Sequence, residues 1–389
     1  MTLKVGIITD SIERGPTSIG NYTRNLVKAL LKIKNNETEI ILIHEAKSSD
    51  PIYDGAKEVI ASLRKNDLPL FRIVSSMKAV QETLRNLDVV HIPHLAGAVA
   101  PPLAFAFKNF ISLIVTLHGV APLVVPPKLY YEGRAYVQRA LVQVQVLKWK
   151  LFFKNNSMIA VSFSEKRNIV NKLNIPEEKI KVIYHGIDHE NFRPMNDHEV
   201  REELHQKYGI DFDFILHVSS FQPKKNVEGI VRAFSILKKK YKIRERFVIL
   251  GKQPESIKVL VEDLGLSGEV IFPGHVPYED LPKFYNLATT FIFPSFHEGF
   301  GMPILEAMAC GCPVITSNIF SMPEIAGEAA ILVNPYDVRE IAEAIFTLIS
   351  DESLRRELSK KGLKRAKQFT WERCAKEHLK VYGEVYHGI

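Results

Sequence analysis

Short apolar runs alternate with longer segments of helical periodicity along this sequence. Runs of β-branched and other apolar residues that are bounded by polar ones predict buried strands. In the first half these runs are KVGIIT (4–9), EIILIHE (39–45), LDVVHIP (87–93), SLIVTLHG (112–119), MIAVS (158–162) and IKVIYHG (180–186). The clearest amphipathic helical segments between them are NYTRNLVKALLKI (21–33), YEGRAYVQRALVQVQVLKWKLFF (131–153) and SEKRNIVNKLN (164–174). This alternation predicts a parallel sheet that helices cover on both faces.

The polar segment DHENFRPMNDHEV (188–200) is a predicted linker, because the alternation restarts after it. The predicted strands of the second half are FDFILHVSS (212–220), RFVILG (246–251), EVIFPG (269–274), TTFIFPS (289–295), CPVITS (312–317) and AAILVN (329–334). The predicted helices include VEGIVRAFSILKKK (227–240), ESLRRELSKKGLKRAKQF (352–369) and WERCAKEHLKVYGEVY (371–386). The predicted fold class is therefore α/β, with Rossmann-like doubly wound domains at 1–190 and 191–370. Ligands of such sheets bind beyond the carboxyl ends of the strands, so we expect a site in the cleft where the two domains face each other.

The composition is that of a soluble globular protein, with 46% hydrophobic and 24% charged residues. The first residues, MTLKVGIITD, are a strand with charged flanks and not a signal peptide, so we expect a cytoplasmic protein. Cys310, Cys312 and Cys374 fit neither a disulfide framework nor zinc-finger spacing. They are predicted to be reduced, buried thiols.

The formal charge of +7 is carried by the first half of the chain. Residues 1–190 hold 25 basic and 17 acidic side chains, whereas residues 191–389 hold 26 and 27. A basic half indicates an anionic partner, which is a nucleic acid, a membrane surface or an anionic ligand. No nucleic-acid-binding motif accompanies the charge, so we expect no nucleic-acid partner.

The stretch FHEGFGMPILEAMACG (296–311) places Glu298 and Glu306 on either side of a glycine-rich corner. A strand is predicted to end just before it, and Pro303 suits the first turn of a helix, which would also contain Glu306. Glycines let the backbone approach a ligand, and the N–H groups of a helix N-terminus bind phosphate. A carboxylate nearby can accept hydrogen bonds from vicinal hydroxyls. The stretch is therefore predicted to hold a ligand with both hydroxyls and phosphates, such as a nucleotide sugar, with a helix-capping acid beside a tight turn as the alternative.

Three more positions are candidates for the same site. Lys225 follows the first strand of the second domain, where it could balance phosphate charge or lie in a solvated basic turn. His118 ends a strand of the first domain, where a structural role is the alternative. Gly20 opens a helix after the loop GPTSIG (15–20), so its amide could face a phosphate. That loop is not GxGxxG, so the dinucleotide-binding signature is absent.

Together these motifs resemble the retaining glycosyltransferases of family 4, which have the GT-B fold, and the resemblance covers nearly the whole chain. Glu298 and Glu306 fit that family's E-x7-E motif, and EGFGMPILEAMACGCPVI (298–315) is similar to its surroundings. Other similar segments are VIYHGIDHENFRP (182–194), GHVPYEDLPKFYNLATTFIFPS (274–295) and FTWERCAKEHLKVY (369–382). The resemblance implies a terminal helix, residues 371–389, that crosses back to the first domain.

The resemblance also implies a role for each matching position. Glu298 would bind hydroxyls of the transferred sugar, Lys225 would stabilise the diphosphate leaving group, and His118 would contact the donor sugar near its reacting face. Glu306 would bind the ribose hydroxyls. The remaining implied donor contacts are the backbone amides of Phe300, Gly301 and Met302 for sugar and phosphate, the loop at Gly20 for the diphosphate, and the backbone of Val276 for the base.

One position departs from the family pattern. Many members carry an arginine six residues before the lysine, where this chain has Ser219. Some mannosyltransferase-like members lack that arginine and carry a basic residue directly before the lysine, as Lys224 does here, so Lys224 would share the phosphate role. No carboxylate is obviously placed as a double-displacement nucleophile. The resemblance implies retention by front-face attack, with the leaving phosphate as base.

We expect neither a metal nor a cofactor. The D-x-D sequence at 211–213 precedes a strand, at the wrong end of the sheet for a donor site. The acceptor would bind the basic first half, where helix 131–153 interleaves aromatic and basic residues. With LAGAVAPPLAFAF (95–107), that helix could rest on an anionic membrane at its inner face and take a lipid-linked acceptor. An ordinary amphipathic helix packed on the sheet is the alternative.

The leading hypothesis for function is transfer of a hexose, mannose from GDP-mannose, to a glycan or lipid-linked acceptor. The preference for mannose rests on the likeness around residues 217–226 and 321–335. Transfer of glucose or N-acetylglucosamine from a UDP-sugar is the near alternative. A non-catalytic nucleotide-sugar-binding protein conflicts with the four intact site residues, and an NAD-dependent oxidoreductase conflicts with the missing GxGxxG.

Overall fold

The computed structural model describes residues 2–13, 17–33, 37–44, 50–60, 86–94, 112–126, 129 and 156–388. By their spatial contacts, the described residues of 1–120, 141–186 and 371–389 form one unit, unit 1. Those of 121–140 and 187–370 form the other, unit 2. Each unit contains one open parallel sheet, as the alternation of strands and helices predicts.

The described strands of unit 1 form a seven-stranded sheet in the order β3-β2-β1-β4-β5-β6-β7, and every pair is parallel. They are β1 (Leu3–Ile8), β2 (Thr38–His44), β3 (Lys57–Ile60), β4 (Val89–Ile92), β5 (Ser112–Leu117), β6 (Ser157–Ala160) and β7 (Ile180–Val182). The chain reverses its direction of strand addition between β1 and β4. Such a reversal is where open α/β sheets bind ligands, beyond the carboxyl ends of the strands.

Unit 2 contains a six-stranded parallel sheet in the order β10-β9-β8-β11-β12-β13. Its strands are β8 (Phe214–Val218), β9 (Arg246–Leu250), β10 (Val270–Gly274), β11 (Thr290–Phe293), β12 (Val314–Ser317) and β13 (Ala330–Val333). The reversal in this sheet lies between β8 and β11, which pair directly.

Helices connect the strands. In chain order the described α-helices are α1 (Asp10–Glu13), α2 (Ser18–Lys32), α3 (Ala121–Val124), α4 (Phe163–Leu173), α5 (Asp197–Tyr208), α6 (Val227–Ile236), α7 (Glu255–Asp263), α8 (Leu281–Leu287), α9 (Met302–Ala309), α10 (Ser321–Ala326), α11 (Val338–Ser350), α12 (Glu352–Ala366) and α13 (Trp371–His387). Single 3₁₀ turns lie at Pro51–Tyr53, Glu177–Lys179, Pro223–Lys225 and Tyr278–Asp280, and a π turn, Leu237–Tyr241, follows α6.

The terminal helix α13 belongs to the core of unit 1. It packs on α2 and on the strands β1, β4 and β5. Its residues Ala375 and Tyr382 are fully buried in the same cluster as Val5 of β1 and Leu26 of α2. Burial of a large apolar side chain contributes about 1.5–3 kcal/mol, so removal of this helix would expose a substantial part of the core.

Two features of the fold differ from the sequence-based expectations. The prediction of a linker over 188–200 is wrong for its last residues, because α5 starts at Asp197. Asn196 caps α5 through a hydrogen bond from the His198 N–H, acids occupy its first turn, and Gly209 ends it in the left-handed region. The sequence pattern also missed β3, an edge strand whose residues KEVI are mostly exposed and show no apolar alternation.

The two segments on which the membrane prediction depends, 95–107 and 131–153, lie outside the described residues. Within the part of the chain that the structure describes, no helix is both long and apolar enough to span a bilayer. All three cysteines lie in described helices or loops, where each is a buried free thiol, as predicted.

Candidate functional site

Lys225 is held at the carboxyl edge of the unit 2 sheet by its neighbour Asn226. The 3₁₀ turn that contains Lys225 follows β8, and Asn226 ends it with φ of 57°, a conformation that asparagine tolerates. The buried Asn226 side chain donates Nδ2 hydrogen bonds to the carbonyls of Pro294 (3.1 Å) and Pro335 (2.7 Å). A Cβ atom at position 229 would lie 2.3 Å from Asn226 Oδ1, so only Gly229 leaves room for this anchor.

Glu298 reaches the same edge from the loop that follows β11. The hydroxyl of Ser321, the first residue of α10, lies 2.8 Å from the Glu298 carbonyl and 2.9 Å from the Phe300 carbonyl. Ser321 is fully buried, and its single hydroxyl proton, shared between these two carbonyls, ties the loop to α10. The carboxylate is therefore presented on an ordered backbone.

Lys225 and Glu298 form an ion pair at the β8/β11 reversal, with 2.7 Å between Lys225 Nζ and Glu298 Oε1. Their side chains are only 14% and 12% exposed, and Lys225 Nζ lies 4.8 Å from the ring centroid of Phe293. Burial by itself would raise the pKa of Glu298, but the charges of Lys225 and Lys224 outweigh it and hold the pKa below its usual value. The Glu298 carboxylate is thus ionised at neutral pH.

Glu306 lies on α9, whose N-terminus faces this loop. The helix starts at Met302 with Gly301 as N-cap at φ of 110°, so Glu306 is its fifth residue. The prediction that Glu306 falls in the first turn is wrong, because the helix begins one residue earlier than Pro303 suggests. Glu306 is buried, its Oε2 accepts a 3.1 Å hydrogen bond from Tyr285 Oη, and burial raises its pKa to about 7.

The backbone amides predicted to contact the donor lie at the start of α9. Met302 is the first residue of the helix and Gly301 its cap, so their N–H groups precede the intrahelical ladder. A Cβ atom at Gly301 would approach the Ile304 side chain to 3.1 Å, and its positive φ is strained for other residues. Phe300 is buried, with its ring against that of Phe369. This geometry can receive an anion, as the sequence predicts.

The position of the family arginine is filled by a compact turn. Ser219 directly follows β8, and its hydroxyl accepts a 2.9 Å hydrogen bond from the Phe221 N–H. Its carbonyl lies so close to Gly251 that a Cβ there would be 2.1 Å away. Val276 is buried shortly after β10. Its predicted contact with a base stays a prediction.

His118 of unit 1 directly follows β5, as predicted. Its Nε2 donates a 2.8 Å hydrogen bond to the Pro93 carbonyl, which fixes the tautomer, and burial lowers its pKa to about 4. The half-buried ring packs against those of Tyr22, His185 and His94, with centroid distances of 4.5, 5.3 and 5.9 Å. His118 is therefore neutral and its orientation is fixed.

The prediction that Gly20 opens a helix is wrong. The helix α2 starts at Ser18, and Gly20 is the third residue of its first turn. The Gly20 N–H donates a 3.0 Å hydrogen bond to Oγ1 of the N-cap Thr17. An anion could accept a hydrogen bond from this N–H only if it displaced the Thr17 hydroxyl.

A buried polar network joins α13 to α2, β4 and β5. His378 of α13 donates from Nδ1 to the Cys374 carbonyl (2.8 Å), so its Nε2 accepts from Tyr22 Oη (3.1 Å). On the next turn, Tyr382 Oη pairs with Nδ1 of His91 (2.8 Å), and Nε2 of His91 pairs with Oγ1 of Thr116 (2.8 Å). Burial lowers the pKa of both histidines, so the network is neutral.

The structure thus places the predicted residues in two groups. Glu298, Lys225 and Lys224 meet at the β8/β11 reversal, and the start of α9 with Glu306 belongs to the same unit; His118 and Gly20 belong to unit 1. Sequence reasoning missed Asn226, Ser321 and Tyr22, which position these groups. The asparagine directly after two lysines was a usable signal for Asn226, because asparagine favours left-handed turns.

The described residues contain no group of three or more histidine, cysteine, aspartate or glutamate side chains that could hold a metal ion. Asp213 directly precedes β8, at the edge of the sheet opposite to Lys225, and it pairs with Arg201 at 3.7 Å. The structure therefore confirms the prediction that the D-x-D sequence lies at the wrong end of the sheet for a donor site.

Two family models match this sequence. Residues 19–191 match Glycosyltransferase Family 4, and residues 200–365 match Glycosyl transferases group 1. The chain is 29% identical over 392 residues to O-antigen chain mannosyltransferase B of Escherichia coli, which covers 98% of this chain and 99% of that protein.

Solved structures share its fold. A glycosyltransferase from Rickettsia africae ESF-5 superposes with a TM-score of 0.77 at 20% identity, over 99% of this chain and 98% of the other. HepE of Anabaena, in a crystal structure with UDP and glucose, gives a TM-score of 0.76 at 18% identity, over 98% and 100% of the two chains. These similarities confirm the predicted GT-B fold.

Proposed function

This chain belongs to the family-4 glycosyltransferases and is a hexosyltransferase, and we propose that it transfers mannose, with retention, from GDP-mannose to a glycan or lipid-linked acceptor. The observation that carries the proposal is the Lys225–Glu298 ion pair at the β8/β11 reversal. The preference for mannose is supported by the similarity to an O-antigen mannosyltransferase over nearly the full length of both chains. That similarity also supports a role in polysaccharide synthesis.

The chemistry of this site follows from charge. When the bond between the sugar and the nucleoside diphosphate breaks, negative charge grows on the phosphate. Lys225, with Lys224 beside it and the amides at the start of α9, would stabilise this charge more in the transition state than in the ground state. The buried ion pair keeps the ammonium of Lys225 at a fixed place before the donor arrives, so little reorganisation is needed.

Glu298 and Glu306 suit two different hydroxyl-binding tasks. Glu298 is ionised, and its second oxygen can accept from hydroxyls of the donor sugar. Glu306 is buried beside Tyr285 with a pKa near 7, so a pair of ribose hydroxyls that donate to it would favour its ionised form. His118 is proposed to contact the donor sugar as a neutral group. The leaving phosphate would take the proton of the acceptor hydroxyl, and the acceptor would attack the face that the phosphate leaves.

A UDP-sugar donor is the second candidate, and one observation favours it. HepE, which has the same fold over the whole chain, was solved with UDP and glucose. A likeness at 18% identity supports the fold but does not select the base, so the mannose donor stays the first proposal.

The deciding experiment is a thermal-shift panel of GDP, UDP, ADP and NADH, each with and without EDTA. A nucleotide at a hundred times its dissociation constant stabilises the native state by about 2.7 kcal/mol. We expect a selective shift with GDP, followed by mannose transfer whose product keeps the donor's α configuration by NMR. A shift with UDP alone would mean that the donor is a UDP-sugar and not GDP-mannose. If no nucleoside diphosphate shifts the melting temperature and no sugar is transferred, the proposal is contradicted.

A further inference from the structure

Glu165 of unit 1 is fully buried, and the chemistry proposed above does not use it. It lies in the first turn of α4, three residues after the N-cap Ser162, whose Oγ accepts a 3.0 Å hydrogen bond from the Glu165 N–H. This S-x-x-E spacing is that of a capping box, in which the glutamate side chain commonly returns to the N–H of the N-cap residue. Here Glu165 Oε1 accepts a hydrogen bond from the backbone N–H of Val120, 45 positions earlier in the chain. The carboxylate therefore binds a segment outside its own helix.

That segment is the turn that carries His118. The strands β5 and β6 are parallel neighbours, with Leu117 paired to Ala160, so their carboxyl ends lie side by side. His118 directly follows β5, and α4 follows β6 after a short connection. A glutamate in the first turn of α4 can therefore reach the backbone just after His118.

We propose that Glu165 is a positioning residue for sugar transfer, which it serves by fixing the turn that places the His118 ring; this rests on the role proposed for His118. The turn is bonded on both sides. The Pro93 carbonyl, which follows β4, accepts the hydrogen bond from His118 Nε2, and Glu165 accepts the one from Val120. Gly119 lies between these two bonds, is exposed and has no side chain to pack, so it does not fix the turn by itself.

The Glu165 carboxylate is itself held in place. Its Oε2 accepts a 3.3 Å hydrogen bond from Asn168 Nδ2, nearly one turn further along α4. The N-terminus of a helix also favours a negative charge in its first turn. A bond from a backbone N–H to a carboxylate is about twice as strong as one to a neutral acceptor. The turn is therefore ordered before a donor arrives, and a displacement of about 1 Å at such a contact can lower a rate about a hundredfold.

The test compares three substitutions of Glu165 by steady-state transfer from GDP-mannose. Glu165→Gln keeps the length of the side chain and an acceptor oxygen, so kcat should stay within about threefold of the wild-type value. Glu165→Asp keeps the charge but is one methylene shorter, and Glu165→Ala removes the carboxylate, so both should lower kcat about tenfold or more. Glu178→Ala, at an exposed position after α4, is the control and should transfer as the wild type does.

The thermal shift with GDP should be the same in all of these variants, because Lys225 and Glu306, which are proposed to bind the nucleotide, belong to unit 2. The KM for the donor should therefore change less than kcat. Equal kcat values for wild type, Glu165→Asp and Glu165→Ala would overturn the proposal. So would a loss in Glu165→Gln as large as that in Glu165→Ala, because the acceptor oxygen would then not matter.

Coupling to His118 distinguishes positioning from a general structural role. In a His118→Ala background, Glu165→Asp should lower the residual rate little, because the ring that it positions is absent. The NMR signals of the His118 ring should shift in Glu165→Asp and stay in place in Glu165→Gln. The same fractional loss of rate with and without His118, or unchanged ring signals in Glu165→Asp, would overturn the proposal.

Circular dichroism and urea unfolding would confirm that each variant is folded. If Glu165→Ala does not fold, Glu165→Asp and Glu165→Gln still decide the question. If the protein binds no nucleotide and transfers no sugar, the proposed function is contradicted. Signals of the His118 ring that shift in Glu165→Asp but not in Glu165→Gln would then still uphold the positioning of His118 by Glu165.

Discussion

The two sheets each reverse their strand order once, and the two reversals carry different chemistry. At β8/β11 the polar side chains are ionised, with Lys225 and Glu298 in a close pair. At β1/β4 and the adjacent β5 the buried histidines are neutral, although the acidic residue Asp10 also follows β1. Burial keeps His91, His118 and His378 unprotonated. Hydroxyl groups pair with both ring nitrogens of His91 and with Nε2 of His378.

This difference separates two kinds of task. A fixed ion pair can meet a ligand whose charge changes during a reaction, as a departing diphosphate does. A neutral network binds or positions groups without such a change, and in unit 1 it also fastens α13 to the sheet. We therefore expect substitutions at β8/β11 to act mainly on transfer, and substitutions in the neutral network to act mainly on stability.

The largest effect is expected at the ion pair. Lys225→Ala and Glu298→Ala should each lower the rate of transfer by about a hundredfold or more, because each removes a contact that matters in the transition state. The measurement is release of GDP in the presence of acceptor, with Lys258→Ala, a partly exposed lysine of the same unit, as control. Wild-type transfer rates in both purified variants would contradict the site assignment.

Glu306 should give the protein a distinct pH dependence of stability. Because its pKa is raised from 4.5 to about 7, the native state holds a proton here that the unfolded chain releases. The free energy of unfolding should therefore fall as pH rises from about 4.5 to 7, relative to Glu306→Gln, by about 3 kcal/mol in total.

Urea unfolding of both proteins at several pH values measures this difference, and the glutamine can still accept the Tyr285 hydrogen bond. Glu262→Gln, at an exposed position, is the control. Parallel stability curves for wild type and Glu306→Gln would show that the buried carboxyl does not hold a proton. If Glu306 binds ribose, GDP affinity should rise with pH over the same range.

Tyr22→Phe tests the neutral network. It keeps the ring beside His118 but removes the hydroxyl that donates to His378 Nε2, which leaves a buried acceptor without its partner. We expect a loss of about 1–3 kcal/mol in the free energy of unfolding, measured with urea. Tyr386→Phe, on the more exposed part of α13, should change it little. An equal effect in both would show that the Tyr22–His378 bond is not important for stability.

The sequence predicted the elements well where hydrophobic pattern and local signals agree. The strand β8 lies inside the predicted run 212–220, and the glycine-rich corner does precede a helix. Two of the errors come from caps, because Thr17 starts α2 before Gly20 and Asn196 starts α5 inside the predicted linker. Polar caps of this kind carry little weight in a hydrophobic pattern.

The candidate sites were predicted only in part, because their residues are far apart in the sequence. The sequence indicated Lys225 and Glu298 separately, 73 positions apart, and only the order of the strands brings them to one edge. The bond between Tyr22 and His378 joins residues 356 positions apart, and no short motif marks it. Contacts of this separation depend on which strands and helices are neighbours in the fold, and residue spacing does not give that arrangement.

The smallest effect is expected from metal removal. If Lys225 and the α9 amides neutralise the leaving diphosphate, a divalent cation is not required, and transfer should be unchanged in EDTA. Asp213→Asn should also transfer at the wild-type rate, because Asp213 lies at the edge of the sheet opposite to Lys225. A loss of transfer in EDTA that added Mn²⁺ restores would mean that a cation shares the charge at β8/β11. The contrast between the two reversals would then depend on a bound ion as well as on the residues of this chain.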